Sequence, residues 1–595
     1  MLLSNLKIKS IMKRNISKFS LIILLTGFFV ACSDDFLDFK PIALDTTESF
    51  YTNFEALDFT ATAAYGMLAT RDLYDVFYTI GFQSISDDTE VGGENVNDWG
   101  EFQRFDRLTH TPNESKVEPM WAYPYKGIRF ANTYLFYMEK VREQELLTSK
   151  TPEEYAQTSA LIDLRAAEML FLRAFFHFTL VQIYGGVPIA DQLVSPSMLK
   201  QPRNSIAEVL HFIESDLQAA IPLLKQKSEL GAEVGRASKG AAQALLAKAY
   251  LYESSYAENY PGDYRFQGCQ NRYADALIQA EAVIGSTTEY NLVGINGERF
   301  ASWRVNPGNT IGGFRWVFTV DGENSGESVW EIENVKDGKG WTYSRGNELT
   351  IYTTVRFTNK ADGTQQGGFG WSFNLPTQYL IDAFGNQDSR ETGLNSSPVD
   401  PELDPRFSTT VGREGDTVLY PSGGSGTWVT MNFSNLPTGT IGRKYECSPS
   451  EYWATMANHH DGPFNIRLIR YADVVLMAAE AAFKTGDEPK ALQYVNDVRT
   501  RARMSGETGY PENLTALSFM DIVHERRLEF ACEQSRFFDL VRWNLAYDFI
   551  NNTTLASMGE GFTLAFEKGK HEFFPIPTTE IQLTEGALQQ YEGWK

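Results

Sequence analysis

Between Leu164 and Pro188 the chain reads LRAAEMLFLRAFFHFTLVQIYGGVP, and no other stretch limits its fold so tightly. Leu164, Ala167, Phe171, Ala174, Phe175, Phe178 and Val181 recur at the i, i+3, i+4, i+7 spacing of one helix face. Met169, Leu172, Phe176 and Leu180 cover much of the remaining circumference, so the helix is expected to pack on more than one side. Arg165 and Arg173 then need a carboxylate or a route to water. Gly185-Gly186 closes the helix, since glycine takes the left-handed turn without a steric penalty, and Pro188 cannot continue it.

Such a helix needs others to cover it, and the pattern recurs. Glu48–Thr70 carries a stripe of Phe54, Leu57, Ala61 and Ala64, and Trp121–Val141 aligns Ile128, Ala131, Leu135 and Met138. Ser205–Ala220 opens with Ser205 and Glu208 at capping-box spacing. Ser238–Ser254 and Tyr273–Ile284 form a further pair. Ile466–Thr485 and Glu488–Arg503 meet across Gly486-Asp487, a helix stop followed by an N-cap, and Ala478, Ala479, Ala481, Ala482 and Ala491 permit close approach. These four pairs resemble tetratricopeptide units, which stack because no single pair buries its own apolar face, although no fixed period of about 34 residues runs through them.

Ala257–Pro463 has a different composition. Glycine and aromatic residues crowd TIGGFRW, DGKGWTY, QQGGFGWSF and YPSGGSGTW, and helical periodicity largely ends after Ile284. Val329–Glu333 alternates as a strand does, as do parts of Leu349–Phe357. The aromatic content argues for order rather than disorder. The expected fold is therefore mostly α, a tetratricopeptide-like scaffold of helical pairs with a long loop-rich insertion containing short strands. Its segments are 32–256, helical, and 257–595, loop-rich to 463 and helical from 464.

The formal net charge is −23, and the first 31 residues hold Lys7, Lys9, Lys13, Arg14 and Lys18 with no acid, so the remainder is more acidic still. Such a surface repels phosphate backbones and excludes nucleic acid as a partner. The basic start, the apolar core Leu21–Val30 and then Ala31-Cys32 read as an export signal over residues 1–31, with a core too short to span a bilayer. Three other cysteines remain, with spacings that match no metal motif. Cys532 reads as a small buried hydrophobe, and a Cys269–Cys447 disulfide stays open.

Catalytic signatures are missing: there is no GxSxG elbow, HExxH, phosphate-binding GxxxxGK or dinucleotide fingerprint. His459-His460-Asp461 has no third ligand at useful spacing and reads as a polar loop. Glu525–Trp543 is densely charged. On a helix, Phe519, Val523, Arg526 and Phe530 share a face, so Arg526 needs Glu529, Glu533 or Asp539 as a buried partner, a structural role. The chain is read as a binding protein without metal or cofactor, and not as an enzyme. What stands out is tryptophan in polar, glycine-rich surroundings: Trp99, Trp303, Trp316, Trp341, Trp371 and Trp428. An indole offers a flat apolar face to a sugar ring, and neighbouring polar groups read the hydroxyls; the alternative is that each fills a small core beneath its own loop. Trp99 with Asn97 and Asp98, Trp303 and Trp341 are the candidates, because their neighbours are mostly polar or glycine.

The aromatic helix running into YGGVP resembles a hallmark of the SusD/RagB family of outer-membrane nutrient-binding lipoproteins. PTQYLIDAF at Pro376–Phe384, DPRF at Asp404–Phe407 and GRKY at Gly442–Tyr445 resemble further blocks of it. So do RLIRYADVVLMAAEA at Arg467–Ala481, NDVRTRA at Asn496–Ala502, ERRLEFACEQSRFFDLVRW at Glu525–Trp543 and FFPIP at Phe573–Pro577. The resemblance implies a lipid on Cys32, in a lipobox where Phe29 replaces the usual leucine, and a surface-export tag in Ser33-Asp34-Asp35. It implies an oligosaccharide site formed by the Trp99 loop with the insertion. It also implies delivery to a SusC-like TonB-dependent transporter in the outer membrane, on the side facing the cell exterior, with the protein as a lid. The alternatives are peptide binding, as in RagB-like members, and a glycoside hydrolase.

Overall fold

In a computed structural model, which describes residues 50–193, 200–302, 309–335, 346–359, 364–367, 370–420, 427–433, 436–446, 462–533, 535–558 and 562–595, the aromatic stretch is a helix that begins earlier than its apolar stripe. The chain divides into Met1–Thr52 and Asn53–Lys595, and every element below belongs to the second unit. Its first long helices are α1 (Phe54–Gly66), α2 (Val117–Thr148) and α3 (Pro152–Tyr184). Thr151 starts α3 by accepting the Glu154 N–H at 3.1 Å, with Pro152 in the first turn, so a polar, mostly exposed segment precedes the buried one. By length and composition α3 could cross a membrane, yet 89% of its apolar window is buried inside this fold.

Both α3 arginines find carboxylates, as their burial demands. Arg165 pairs with Asp58 at 2.8 Å and Glu168 at 2.6 Å, and Arg173 grips Asp216 through two 2.7 Å bonds. Gly185 ends the helix at φ +72°. On the neighbouring α2, a Cβ added to Gly127 would stand 2.2 Å from the Phe176 ring, which is why this crossing needs glycine.

The remaining long helices are α4 (Ile206–Ala220), α5 (Lys239–Asn259), α6 (Tyr273–Ile284), α7 (Tyr471–Lys484), α8 (Glu488–Met504) and α9 (Phe519–Phe530). Ser205 and Glu208 form the expected capping box. Helices α1 to α4 pack in sequence, α5 lies on α6, α6 on α7, and α7 on α8. Ala478, Ala479, Ala481 and Ala482 of α7 and Ala491 of α8 are all fully buried, as close approach requires.

Two assignments change. The helix expected from Ile466 starts only at Tyr471, because Ile466–Arg470 is a strand, β4, antiparallel to β2 (Ser328–Ile332) with Ile466 opposite Ile332. The expected strand at Val329 is β2 itself. Leu349–Phe357 is split: Leu349–Thr353 is a short helix, and Phe357 opens a strand of a four-stranded sheet. The segment Ser84–His110, without periodicity in sequence, contains strand β1 (Thr89–Gly92) and the helix Gly100–Asp106; β1 pairs with β3 (Phe373–Pro376).

Around α9 the interior is ionic. Arg526 bonds Asp539 and Asp473, each at 2.6 Å, and Arg527 reaches Asp88 at 2.7 Å, Asp388 at 2.8 Å and Glu391 at 3.0 Å. Glu525 accepts from Arg406 at 2.6 Å and Arg499 at 2.9 Å; Glu529 accepts from Arg470 at 2.8 Å and from Arg501. From the next short helix, Arg536 binds Asp87 at 2.9 Å. Burial alone would raise the Glu529 carboxyl, but Arg501, Arg470 and Arg406 bring it down to about 2. Cys532 is a free, buried thiol in an apolar cluster with Leu380, Phe384, Phe407 and Leu528, and burial pushes it up to about 12. Cys269 is also a free thiol. Cys32, Cys447 and His459-His460-Asp461 lie outside the described residues.

Candidate functional site

The pairing of β1 with β3 sets Gly92 opposite Phe373 and so brings the first loop, Gly93–Trp99, against the insertion. The Gly93 N–H donates to the Ser372 carbonyl at 2.8 Å. Five residues here have left-handed backbone: Gly92 at φ +75°, Gly93 at +90°, Trp99 at +53°, Ser372 at +56° and Asn374 at +59°. For non-glycine residues such geometry costs on the order of 1–3 kcal/mol each and persists only where the surroundings over-determine it.

The surroundings do so. Asp98 Oδ2 accepts the Glu94 N–H at 2.9 Å, and Asn95 accepts the Asn97 N–H through Oδ1 at 2.9 Å, closing the loop on itself. Arg356 then ties the loop to the insertion. Its Nη2 lies 3.3 Å from Asp98 and 3.1 Å from the Trp371 carbonyl, and its Nη1 is 3.6 Å from Glu94. Its own N–H donates to Ser372 Oγ at 2.9 Å.

The result is a short row of rings. Trp99 stands 5.1 Å from Tyr352 at 42° between planes, 5.0 Å from Phe373 and 4.7 Å from Phe102. Trp371 approaches Tyr352 to 5.4 Å at 54°. Tyr352 is fully buried and its hydroxyl accepts from Arg71 Nη2 at 2.6 Å, while Arg71 Nε pairs with Glu348 at 2.6 Å. Trp99 and Trp371 are both partly exposed, so together they form a platform with Tyr352 in its base. Beside the loop opens a cleft of about 370 Å³, lined by Gly93, Glu94, Asn95, Val96, Leu436 and Pro437.

Of the sequence candidates, Trp99 and Asp98 meet in this platform, with Asn97 exposed beside them. Trp303 and Trp341 lie outside the described residues. Trp316, on the short helix Gly313–Val317, stacks on Phe300 at 4.3 Å, away from the platform. Trp330 illustrates the core role instead: it is 2% exposed and meets Phe171 and Phe175 of α3 edge-on at 4.7 and 4.9 Å. Tyr352 and Arg356 carried no signal of their own, and Trp371 read like the other glycine-flanked tryptophans; only the β1–β3 pairing distinguishes them. Among the described residues no three His, Cys, Asp or Glu side chains gather to hold a metal ion.

Paired helices carrying a strained aromatic platform, built by two distant segments of chain, define a helical scaffold protein whose distinctive chemistry lies in its loops. The chain belongs to the SusD/RagB family. The model described as the SusD family matches residues 326–594, and that described as starch-binding and associating with the outer membrane matches 35–251. SusD-like protein P2 of Formosa agariphila is 23% identical over 596 residues, covering 96% of this chain and 98% of that one. A SusD-like protein of Bacteroides ovatus is also 23% identical, over 87% and 80%. Among solved structures, a laminarin-binding SusD-like protein superposes with a TM-score of 0.66 at 24% identity, covering 91% of this chain and all of that one. Surface glycan-binding protein A of Bacteroides thetaiotaomicron, in complex with laminarihexaose, gives 0.64 at 20%, over 90% and 99%. At these identities the likeness to the solved structures is one of fold.

Proposed function

We propose that this protein is a glycan-binding lipoprotein of the outer-membrane surface that holds an oligosaccharide on the Trp99–Tyr352–Trp371 platform and hands it to a SusC-like TonB-dependent transporter. The observation that carries this reading is Trp99 itself: a bulky residue kept in left-handed backbone, partly exposed, with its ring packed at 5.1 Å against Tyr352. Strain of this kind is retained where a side chain must be held for a ligand. A partly exposed indole suits the C–H face of a pyranose, and the cleft along Glu94–Val96 gives a chain of sugars room to continue. The family supplies context, since one matching model is described as starch-binding and two solved relatives carry laminarin or laminarihexaose in their names. Cys32 would carry the lipid. Binding without cleavage fits the platform's carboxylates, because Asp98, Glu94 and Glu348 each face a guanidinium instead of standing free as an acid–base pair.

Calorimetry with laminarihexaose and other hexasaccharides tests the reading. Trp99→Ala should lose on the order of 0.5–1.5 kcal/mol of binding beyond its area term while its melting temperature barely moves. Unchanged affinity in a folded Trp99→Ala protein, or hydrolysis of a labelled glycan by the wild type, counts against it.

A further inference from the structure

Among the described residues, the arginines around the platform are already engaged. Arg356 is occupied by Asp98, Glu94 and the Trp371 carbonyl, the last at 3.3 Å from Nε and 3.1 Å from Nη2. Arg71, beneath Tyr352, is held by Glu348. Arg104 is bound by Glu114, with Nε 2.9 Å from Oε1, and Arg107 gives Nη2 to the Val96 carbonyl at 2.7 Å and to Gln103 at 3.2 Å. The acids are less enclosed: the Glu94 side chain is 70% exposed and that of Asp98 31%.

We infer that the Glu94–Asp98–Arg356 cluster sets the charge class of the ligand, admitting uncharged sugar chains and turning away uronates and sulfated glycans. The inference rests on the glycan-binding reading above. A carboxylate or sulfate lying beside Trp99 has two courses. It stays next to Glu94 and Asp98 and is repelled, or it takes Arg356 from them and leaves two carboxylates without their counter-charge. Asp98 is costly to strip, because it also closes the loop through the Glu94 N–H. Neutral hydroxyls meet neither penalty. The outer edges of Glu94 and Asp98 accept O–H hydrogen bonds, which are stronger to an ionised acceptor than to a neutral one. The acidity of the whole chain, at −23, adds a repulsive background.

The full-length protein is tested against two sets of oligomers. One is neutral, comprising gluco-, manno- and xylo-hexasaccharides; the other is anionic, comprising oligogalacturonides, alginate oligomers and sulfated galactan oligomers. At low salt the best neutral ligand should bind at least about tenfold more tightly than the best anionic one, and the gap should narrow as salt screens the cluster. The double variant Glu94→Gln/Asp98→Asn releases Arg356 and keeps an acceptor for the Glu94-position N–H. It should gain about tenfold for anionic oligomers and lose some affinity for neutral ones, whose hydroxyls then meet uncharged acceptors, so that the preference for neutral chains collapses. Glu94→Gln alone, at an exposed position, should show part of that gain and guards against a folding defect in the double variant. A wild type that binds uronates or sulfated oligomers as well as neutral ones overturns the inference and leaves glycan binding intact. Neutral-only binding with no gain in either variant overturns the role of the cluster. If neither set binds, the glycan reading itself fails, and the inference falls with it.

Discussion

Helices α3 and α9 are enclosed by opposite means. From Ile162 onward α3 buries Phe171, Leu172, Phe175, Phe176, Phe178 and Leu180, and its two buried arginines stand in separate small clusters, Arg165 sharing Asp58 and Glu168 with Arg236 and Arg173 holding Asp216. Helix α9 buries Glu525, Arg526, Arg527 and Glu529 within five residues: Glu525 and Glu529 share Arg406, while Arg526 and Arg527 each gather their own set of carboxylates from distant segments. Apolar burial is non-directional and tolerates small shifts, whereas a buried charge tolerates none unless its partner moves with it. Helix α3 therefore supplies cohesion, and α9 fixes which distant segments must meet.

The comparison breaks first at Arg527. Arg527→Ala leaves Asp88 without its close guanidinium and takes one cation from Asp388 and Glu391, which keep Arg390 and His524, and a broken buried pair costs about 3–5 kcal/mol. The upper end is expected here, read as a large drop in the urea midpoint or failure to fold. Leu172→Ala on α3 removes an apolar side chain of comparable burial and should cost about 3 kcal/mol, with the fold retained. An α3 variant as damaging as the α9 one would erase the distinction.

Per pH unit the smallest effect, and the sharpest, lies in titration. Burial lowers His177 of α3 to about 4, below its unfolded value near 6.5. Its contribution is therefore present above about pH 6.5 and lost as pH falls toward 4. Glu529 of α9, at about 2 against about 4.3 unfolded, keeps its contribution above that unfolded value and loses it as pH falls toward 2. Each group changes stability by at most about 1.4 kcal/mol per pH unit in its window. His177→Gln should lessen the slope of the urea midpoint between pH 6.5 and 4, to which the buried His110 and His571 also contribute, and leave the lower window unchanged; a lessened slope in both would show that the two regions are not separate.

What the sequence reveals follows the same division. The α3 stripe, the Ser205–Glu208 box, the bounds of α6 and the Gly486-Asp487 turn depend on residues within a few positions of one another, so periodicity and caps expose them. Asp539 was one of three acids in reach of Arg526, and it is a partner, but Asp473 lies 53 positions away and carried no signal. Strand β4 escapes for the same reason, because its hydrogen bonds go to β2, more than 130 residues upstream. At the platform, Trp99 is legible as an aromatic among polar neighbours. Arg356 is not, since an arginine shows its role only once Asp98, 258 positions away, lies beside it.

The bond between Arg527 and Asp88 spans 439 positions, and that distance is also a delay. At about 5–20 residues per second, on the order of 20–90 s separate the synthesis of Asp88 from that of its arginine. Until positions 390, 527 and 536 exist, Asp87 and Asp88 have acquired none of their guanidiniums and cannot be buried without a large penalty. The first strand, and with it the Trp99 loop, is therefore among the first parts of the chain to be made and among the last to be set in place.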